Sequence, residues 1–145
     1  MNTLPMPSRA IMDTNVLYAA FRSQLGASFQ VFRRLCLGEW TAVVSNHLIH
    51  EDEEILKANA SELRLSLEDV DELLNAICAR AEEWPLQPGW WPVLTDPDDE
   101  SLVQLASESS ANRIITHNLR HFAPAVSIGV EVLKPGQFLA ILKTT

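Results

Sequence analysis

The sequence is poor in cysteine and contains no long apolar run. Two of its 145 residues are cysteine, so a disulfide framework is not expected, and this usage favours a reducing cytoplasm. No apolar run approaches the roughly 20 residues that a transmembrane helix needs. The first eight residues lack the charged and apolar regions of a signal peptide. We therefore expect a cytoplasmic protein without membrane association.

Basic residues are outnumbered by acidic ones. The chain has 11 Lys and Arg against 19 Asp and Glu, giving a formal net charge of −8. This balance excludes a strongly basic nucleic-acid coat and a polybasic membrane anchor. It does not exclude chemistry on nucleic acids, because carboxylates can hold cations that bridge to phosphate. The apolar content of 47% is ordinary for a globular chain able to bury its own core.

Short apolar runs alternate with helix-like segments along the whole chain. We predict a loose tail over residues 1–8, where Pro5 and Pro7 prevent regular pairing, and a single domain over 9–145. The predicted strands are 9–12, 41–44, 92–95, 113–116 and 130–133. Helices are predicted between them, among them 28–37, 46–58 and 66–84. This alternation predicts an α/β fold with a central, mostly parallel sheet of about five strands flanked by helices.

Polar residues follow four of these strands at the point where each strand ends. They are Asp13, Ser45-Asn46 with the acidic helix behind it, the run Asp96–Glu100, and His117-Asn118. In an open parallel sheet the carboxyl ends of the strands lie along one edge and form the ligand crevice. We therefore expect these four clusters to meet in space.

Each cluster also has a purely structural explanation. Asp13 can simply cap the helix that follows, and Asp96 with a proline behind it is a fitting helix start. The helical wheel predicts that Asp99 points toward the core and that Glu100 points away. In the run 51–54, the wheel places Asp52 nearer the apolar stripe than Glu51, which leaves open which acid faces the crevice.

Several carboxylates in one crevice cannot all stay ionised without a counter-charge. Hard oxygen ligands without a required thiolate suit Mg²⁺ or Mn²⁺. The chemistry that matches such a site is metal-assisted hydrolysis of a phosphate ester.

The residues resemble the PIN-domain nucleases over nearly the whole chain, about Arg9 to Leu142. The resemblance lies in the segments 11–17, 44–45 followed by Glu51 and 55–56, 96–99, 114–122 and 133–139. The ordered set looks most like the VapC-like ribonucleases, the toxin components of prokaryotic toxin–antitoxin pairs. The resemblance implies a three-layer α/β sandwich and a metal-dependent endoribonuclease. It also implies an RNA substrate, a cognate antitoxin protein as partner, and a homodimer.

Carried over residue by residue, the resemblance implies that Asp13, Glu51 and Asp99 ligate Mg²⁺ or Mn²⁺. Asn15 and Thr116 would support them. Many relatives have a fourth acid where this chain has Asn118, which we predict to position water or phosphate as part of the catalytic set. Asp96 is then the candidate replacement for the missing fourth ligand. Two further positions depart from the family pattern, namely Asp52 and His121.

Two other functions compete with the nuclease. An aspartyl-phosphate phosphotransferase would use Asp13 as nucleophile, but it needs a second acid where this chain has Asn15. A catalytically degenerate PIN fold kept as a binding module is favoured by Asn118 and Asp52. Saturable binding of a divalent metal would separate the nuclease from the binding module.

Other chemistry-bearing residues receive structural interpretations. The pairs His47/His50 and His117/His121 have zinc-like spacing but no third ligand to match it. Cys36 and Cys78 are expected to be small buried apolar groups. The three tryptophans at 84, 90 and 91 are expected to cover the edge of the core, and Arg33-Arg34 to be solvated. RNA affinity is therefore expected to come from the metal site and scattered arginines.

Overall fold

A computed structural model describes residues 7–143. The elements are β1 (Ser8–Met12), α1 (Thr14–Arg22), α2 (Ala27–Cys36), β2 (Trp40–Val44), α3 (Asn46–Ala58), α4 (Ala60–Leu63), α5 (Leu67–Arg80), β3 (Glu82–Glu83), α6 (Pro97–Glu108), β4 (Arg113–Ile115), a 3₁₀ segment (Leu119–Ile128), β5 (Glu131–Leu133) and α7 (Pro135–Lys143). Residues 1–6 of the predicted tail lie outside the described residues, and Ser8 already belongs to β1.

The five strands form one parallel sheet in the order β3-β2-β1-β4-β5. The predicted α/β fold with about five parallel strands flanked by helices is thus confirmed. The chain moves outward from β1 to β3 and then returns to the other side of β1 to form β4. Because crossovers between parallel strands are right-handed, this reversal distributes helices to both faces of the sheet. The reversal lies between β1 and β4, where ligands bind in folds of this kind.

The core consists of the central strands and the helix faces that cover them. Ile11 and Ile114 pair across β1 and β4 and are fully buried, which explains why these strands read as continuous apolar runs. The ring of Trp40 packs edge-on against Phe138 with centroids 5.0 Å apart, and its indole Nε1 donates to the Val31 carbonyl at 2.8 Å. A tryptophan is therefore accommodated in the core with its polar atom satisfied.

Local sequence signals set the helix ends. Ser66 and Asp69 form a reciprocal capping box at the start of α5, with both side chain-to-backbone hydrogen bonds at 2.9 Å. Gly38 follows α2 with φ +77°, and a Cβ there would lie 3.0 Å from an Arg80 nitrogen. The predicted glycine stop after this helix is therefore observed.

The third strand is not where the sequence predicted it. The prediction was 92–95, with the preceding helix running to Trp84, whereas α5 ends at Arg80 and the strand is Glu82–Glu83 beside β2. Pro92 has no N–H to donate, and the N–H groups of Val93 and Leu94 donate to the Glu100 carboxylate instead of to a strand.

The prediction for the cysteines and tryptophans was partly wrong. Cys36 is half-buried but Cys78 is exposed, because it lies on the outer face of α5. Trp84 and Trp90 pack against the core, whereas Trp91 is 85% exposed. No helix within residues 7–143 combines the length and apolar character that a membrane span requires.

Candidate active site

A cleft of about 460 Å³ lies at the carboxyl ends of β1 and β4, beside the point where the strand order reverses. All the residues predicted as metal ligands line it. The polar side chains in its wall include Asp13, Asn15, Glu51, Asp96, Asp99 and Asn118. Residues far apart in the chain thus meet at the strand ends, as the spacing of the polar clusters predicted.

Asp13 lies at the floor of the cleft. Its backbone N–H donates to the Ile115 carbonyl at 3.0 Å, which continues the β1–β4 pairing by one residue and holds Asp13 against β4. Asp13 occupies the N-cap position of α1, yet its side chain makes no capping hydrogen bond. Asp13 is 9% exposed, and its carboxylate accepts a hydrogen bond from Thr116 Oγ1 at 2.8 Å. Capping alone therefore does not account for the residue.

The Thr116 hydroxyl organises the polar residues around Asp13. Besides donating to Asp13, it accepts from the Asn118 backbone N–H at 3.0 Å and from Asn15 Nδ2 at 3.3 Å. Asn15 Oδ1 in turn accepts from the His117 N–H at 3.3 Å. These bonds tie the turn after β4 to the first turn of α1, so Asn15 and Thr116 lie where supporting residues were predicted.

Two consecutive acids of helix α3 lie in different environments. Asp52 is 3% exposed and accepts from Thr14 Oγ1 at 2.6 Å, whereas Glu51 is half-buried and faces the cleft. The structure thus places Asp52 inward, as the helical wheel predicted, and places Glu51, the acid that the resemblance implies as a ligand, in the cleft wall. Burial raises the pKa of Asp52 to about 7, opposed by the hydrogen bond from Thr14.

Helix α6 brings two more acids to the cleft. Asp96 caps the helix, and its Oδ1 accepts from the N–H groups of Asp98 at 2.8 Å and Asp99 at 3.4 Å. The Asp99 carboxylate is mostly buried and lies 3.6 Å from His121 Nδ1. One oxygen of Asp96 is thus engaged by the helix start, so the structural explanation for this residue holds alongside its place in the cleft wall.

The sequence prediction for Glu100 was wrong. Instead of pointing away from the core, Glu100 is buried and accepts hydrogen bonds from Trp90 Nε1, from the Val93 N–H at 3.0 Å and from the Leu94 N–H at 2.7 Å. The loop before α6 folds over the helix and covers this position. A helical wheel contains no information about a covering loop, so the sequence offered no signal for it.

Several residues in the cleft wall were missed by the sequence reasoning. Tyr18 lies one turn beyond Thr14 on α1, and Ile55 and Asn59 continue the row that begins at Glu51. The i, i+4 spacing from the predicted acids was the signal that could have found them.

The cleft is electrostatically negative. Burial raises the pKa of Asp13, and burial together with neighbouring carboxylates raises the pKa of both Glu51 and Asp99. None of the described residues that line the cleft is lysine or arginine. A bound divalent cation would supply the missing positive charge, so the donor set of carboxylates and amides fits Mg²⁺ or Mn²⁺.

Glu51 also belongs to a tighter group on the rim of the cleft. His47, Glu51 and Asp98 each offer one potential ligand atom, and these three atoms lie within 4.8 Å of one another. This is the group of that kind found among residues 7–143. His47 Nε2 is 3.1 Å from Asp98 Oδ1. The carboxylates of Asp13, Glu51 and Asp99 line one cleft but are not gathered to this spacing. The members of each histidine pair have different partners: His47 contacts Asp98 and His50 contacts Glu54, whereas His117 contacts Ser28 and His121 contacts Asp99.

The fold and the cleft define the class of this protein: a parallel α/β domain with an acidic site at the strand reversal. The model of the PIN domain family matches residues 9–120, which is more than half of the chain. The chain therefore belongs to the PIN-domain family, and the resemblance seen in the sequence is confirmed at this level. No curated protein sequence matches it significantly.

Among solved structures, the chain is similar to the crystal structure of VapBC2 from Rickettsia felis bound to a DNA fragment from their promoter. The sequence identity is 12%, and the match covers 87% of this chain and 98% of that chain with a TM-score of 0.60. At this identity the similarity shows the fold alone.

Proposed function

We propose that this protein is a metal-dependent endoribonuclease that cleaves RNA by phosphodiester hydrolysis. The observation that carries the proposal is that Asp13, Glu51 and Asp99, from three separate segments, line one cleft that contains no lysine or arginine among its described lining residues. Membership of the PIN-domain family supports a nuclease. The three carboxylates would hold Mg²⁺ or Mn²⁺, and Asp96 is a further acid in the cleft wall.

When bound, the ion supplies Lewis-acid chemistry, because it polarises phosphate oxygens and lowers the pKa of water. The protein's own residues orient the reaction. Thr116 fixes one oxygen of Asp13 through a hydrogen bond, so the other oxygen is left for the ion. The Asn118 side chain lines the cleft beside them and would donate to a phosphate oxygen or to the attacking water. Asn15 would hold this arrangement through its bonds to Thr116 and His117.

The test is cleavage of labelled RNA by the purified chain with Mn²⁺, with and without EDTA. We expect cleavage that EDTA abolishes and that Asp13→Asn reduces at least about 100-fold, as expected for loss of a charged metal ligand. The matched control is Asp71→Asn, which removes an exposed carboxylate of α5 that contacts Lys57 and does not line the cleft. Cleavage by Asp13→Asn at the wild-type rate would refute the proposal.

Calorimetric titration with Mn²⁺ separates the nuclease from a binding module. Saturable binding that is lost in Asp13→Asn favours the nuclease, and an absence of saturable binding favours a degenerate fold. The aspartyl-phosphate alternative has no structural support, since the residue two positions after Asp13 is an asparagine whose amide nitrogen is bonded to Thr116.

We further propose that the chain is the cytoplasmic toxin of a toxin–antitoxin pair and forms a homodimer. The fold similarity to a structure of VapBC2 supports this partnership. Expression alone is expected to arrest growth, and co-expression of a small protein encoded by a neighbouring gene is expected to restore it. Light scattering on the purified chain measures the oligomeric state, for which a monomer mass would contradict the dimer.

A further inference from the structure

A second hollow adjoins the acidic cleft and carries the opposite charge. It has a volume of about 420 Å³ and shares Asn118 and His121 with the cleft. Its remaining lining includes His117, Arg120 and Lys134. The residues come from the turns after β4 and β5, two neighbouring strands, so the hollow lies on the same edge of the sheet as the cleft. Asp13 and Glu51 follow β1 and β2 at this edge, whereas Arg120 and Lys134 follow β4 and β5.

Arg120 and Lys134 are exposed, and neither takes part in an ion pair within residues 7–143. By contrast, Arg9, Arg34, Lys57 and Arg113 are each paired with a carboxylate. Burial lowers the pKa of His117 in the hollow, the charge of Asp13 opposes this, and the charge of Lys134 lowers the pKa further. Two cations without partners thus face one concave surface in a chain whose net charge is −8.

We propose that this hollow binds the phosphate backbone of the single-stranded RNA on one side of the scissile bond. The inference rests on the proposed function and names the residues that would hold the substrate. An acidic chain repels a polyanion, so a strand that reaches the cleft needs cations beyond a metal ion. The guanidinium of Arg120 offers a planar fork of donors that matches a phosphate, and Lys134 offers a point charge.

The continuity of the two cavities favours RNA over an acidic polypeptide. Asn118 and His121 form the boundary between them, so a strand whose reacting phosphate lies in the cleft can place an adjoining phosphate in the hollow without leaving the surface. Arg120 also lines a neighbouring hollow together with Asp96 and Asp99, but within residues 7–143 neither Arg120 nor Lys134 forms an ion pair with a cleft carboxylate. This arrangement keeps the acids free for a metal ion and the cations free for phosphate.

The test measures binding of a short fluorescein-labelled single-stranded RNA by anisotropy, in EDTA and across a series of KCl concentrations. EDTA prevents cleavage and makes the result independent of the metal site. The double variant Arg120→Gln/Lys134→Gln is compared with Arg33→Gln/Lys143→Gln. The control removes the same two charges from exposed residues that take part in no ion pair within residues 7–143.

We expect the first double variant to weaken binding about 10-fold at low salt and to reduce the slope of log K against log salt by about 1.4, which corresponds to two phosphates at about 0.7 each. The control is expected to retain the wild-type slope. Equal affinity and slope in the two double variants would overturn the proposal. A glutamate-rich peptide that binds more tightly than the RNA, with the same dependence on Arg120 and Lys134, would also overturn it.

Failure of the RNA-binding hollow can be distinguished from failure of the proposed nuclease function, because binding in EDTA and cleavage with Mn²⁺ are measured separately. One outcome would support the hollow and refute the nuclease. In that outcome the wild-type chain binds RNA but does not cleave it with Mn²⁺, and of the two double variants only Arg120→Gln/Lys134→Gln loses RNA binding. Circular dichroism of both double variants checks that the fold is retained, which the exposure of all four residues leads us to expect.

Discussion

Thr116 Oγ1 donates a hydrogen bond to Asp13 Oδ2 over 2.8 Å, although the two residues are 103 positions apart in the chain. Thr116 is fully buried and Asp13 nearly so. The bond joins the ends of two adjacent parallel strands, β1 and β4. It also fixes which oxygen of Asp13 faces the cleft, so Thr116 is a positioning residue for the candidate metal ligand.

We predict that Thr116→Val reduces metal-dependent RNA cleavage by about 5- to 100-fold, which corresponds to the roughly 1–3 kcal/mol cost of an unsatisfied buried partner. Thr116→Ser keeps the hydroxyl and is expected to restore most of the activity. Thr41→Val, a change of the same kind in β2, is the control for loss of a threonine hydroxyl. Steady-state cleavage rates measure the effect, and equal rates for Thr116→Val and Thr41→Val would contradict the positioning role.

Glu51 and Glu53 provide a matched pair on one helix. Glu51 lines the cleft, whereas Glu53 is directed toward Lys57 on the helix surface. Glu51→Gln is expected to weaken Mn²⁺ binding about 10- to 100-fold, because one charged ligand is lost. Glu53→Gln is expected to leave the Mn²⁺ affinity unchanged. Calorimetric titration measures both affinities, and equal weakening in the two variants would show that only the overall negative charge matters.

Asp52 predicts a pH dependence of stability. Its pKa in the folded protein is about 7 against an ordinary value of 3.8, so the folded state holds the proton more tightly than the unfolded state does. The contribution of Asp52 to the free energy of unfolding is therefore fully present below the ordinary pKa and is lost as the pH rises through about 7. Asp52→Asn keeps an acceptor for Thr14 without a charge, so this loss should disappear.

The measurement is urea unfolding in EDTA from about pH 4 to about pH 8, which spans the fall of the Asp52 contribution between its ordinary pKa and about 7. The wild-type chain is expected to lose more stability than Asp52→Asn over this range. Other acids of the cleft contribute to both curves, so the difference between the two proteins isolates Asp52. Parallel curves would mean that Asp52 is ionised throughout the range.

The buried carboxylate of Glu100 leads us to predict an effect on stability, at a position outside the cleft. Its carboxylate accepts three hydrogen bonds from the loop that covers α6. Glu100→Gln places an amide donor against these donors and is expected to lower the free energy of unfolding by about 1–3 kcal/mol. Glu72→Gln, an exposed change on α5, is the control. Urea unfolding measures both, and an unaltered midpoint for Glu100→Gln would show that the loop is held by other contacts.

Much of the fold and of the cleft could be predicted from local patterns. The end of β1 before Asp13, the start of α3 at Asn46 and the cap at Asp96 lie where the sequence placed them. Each depends on signals within a few residues, such as apolar runs, caps and proline. The third strand could not be placed, because Glu82–Glu83 has no apolar pattern of its own and is a strand only through its pairing with Val43 and Val44.

The sequence by itself determined the alternation of strands and helices, the polar residues that follow the strands, and the acidic character of the site. These features depend on residue type and spacing along the chain, which local physical chemistry can interpret. The tertiary structure decided that Glu51 faces the cleft while Asp52 is buried against Thr14, that Glu100 is covered by a loop, and that Arg120 and Lys134 share a hollow. Each of these depends on which distant segment packs against a side chain, and that is fixed only when the strands pair and the helices and loops pack on the sheet.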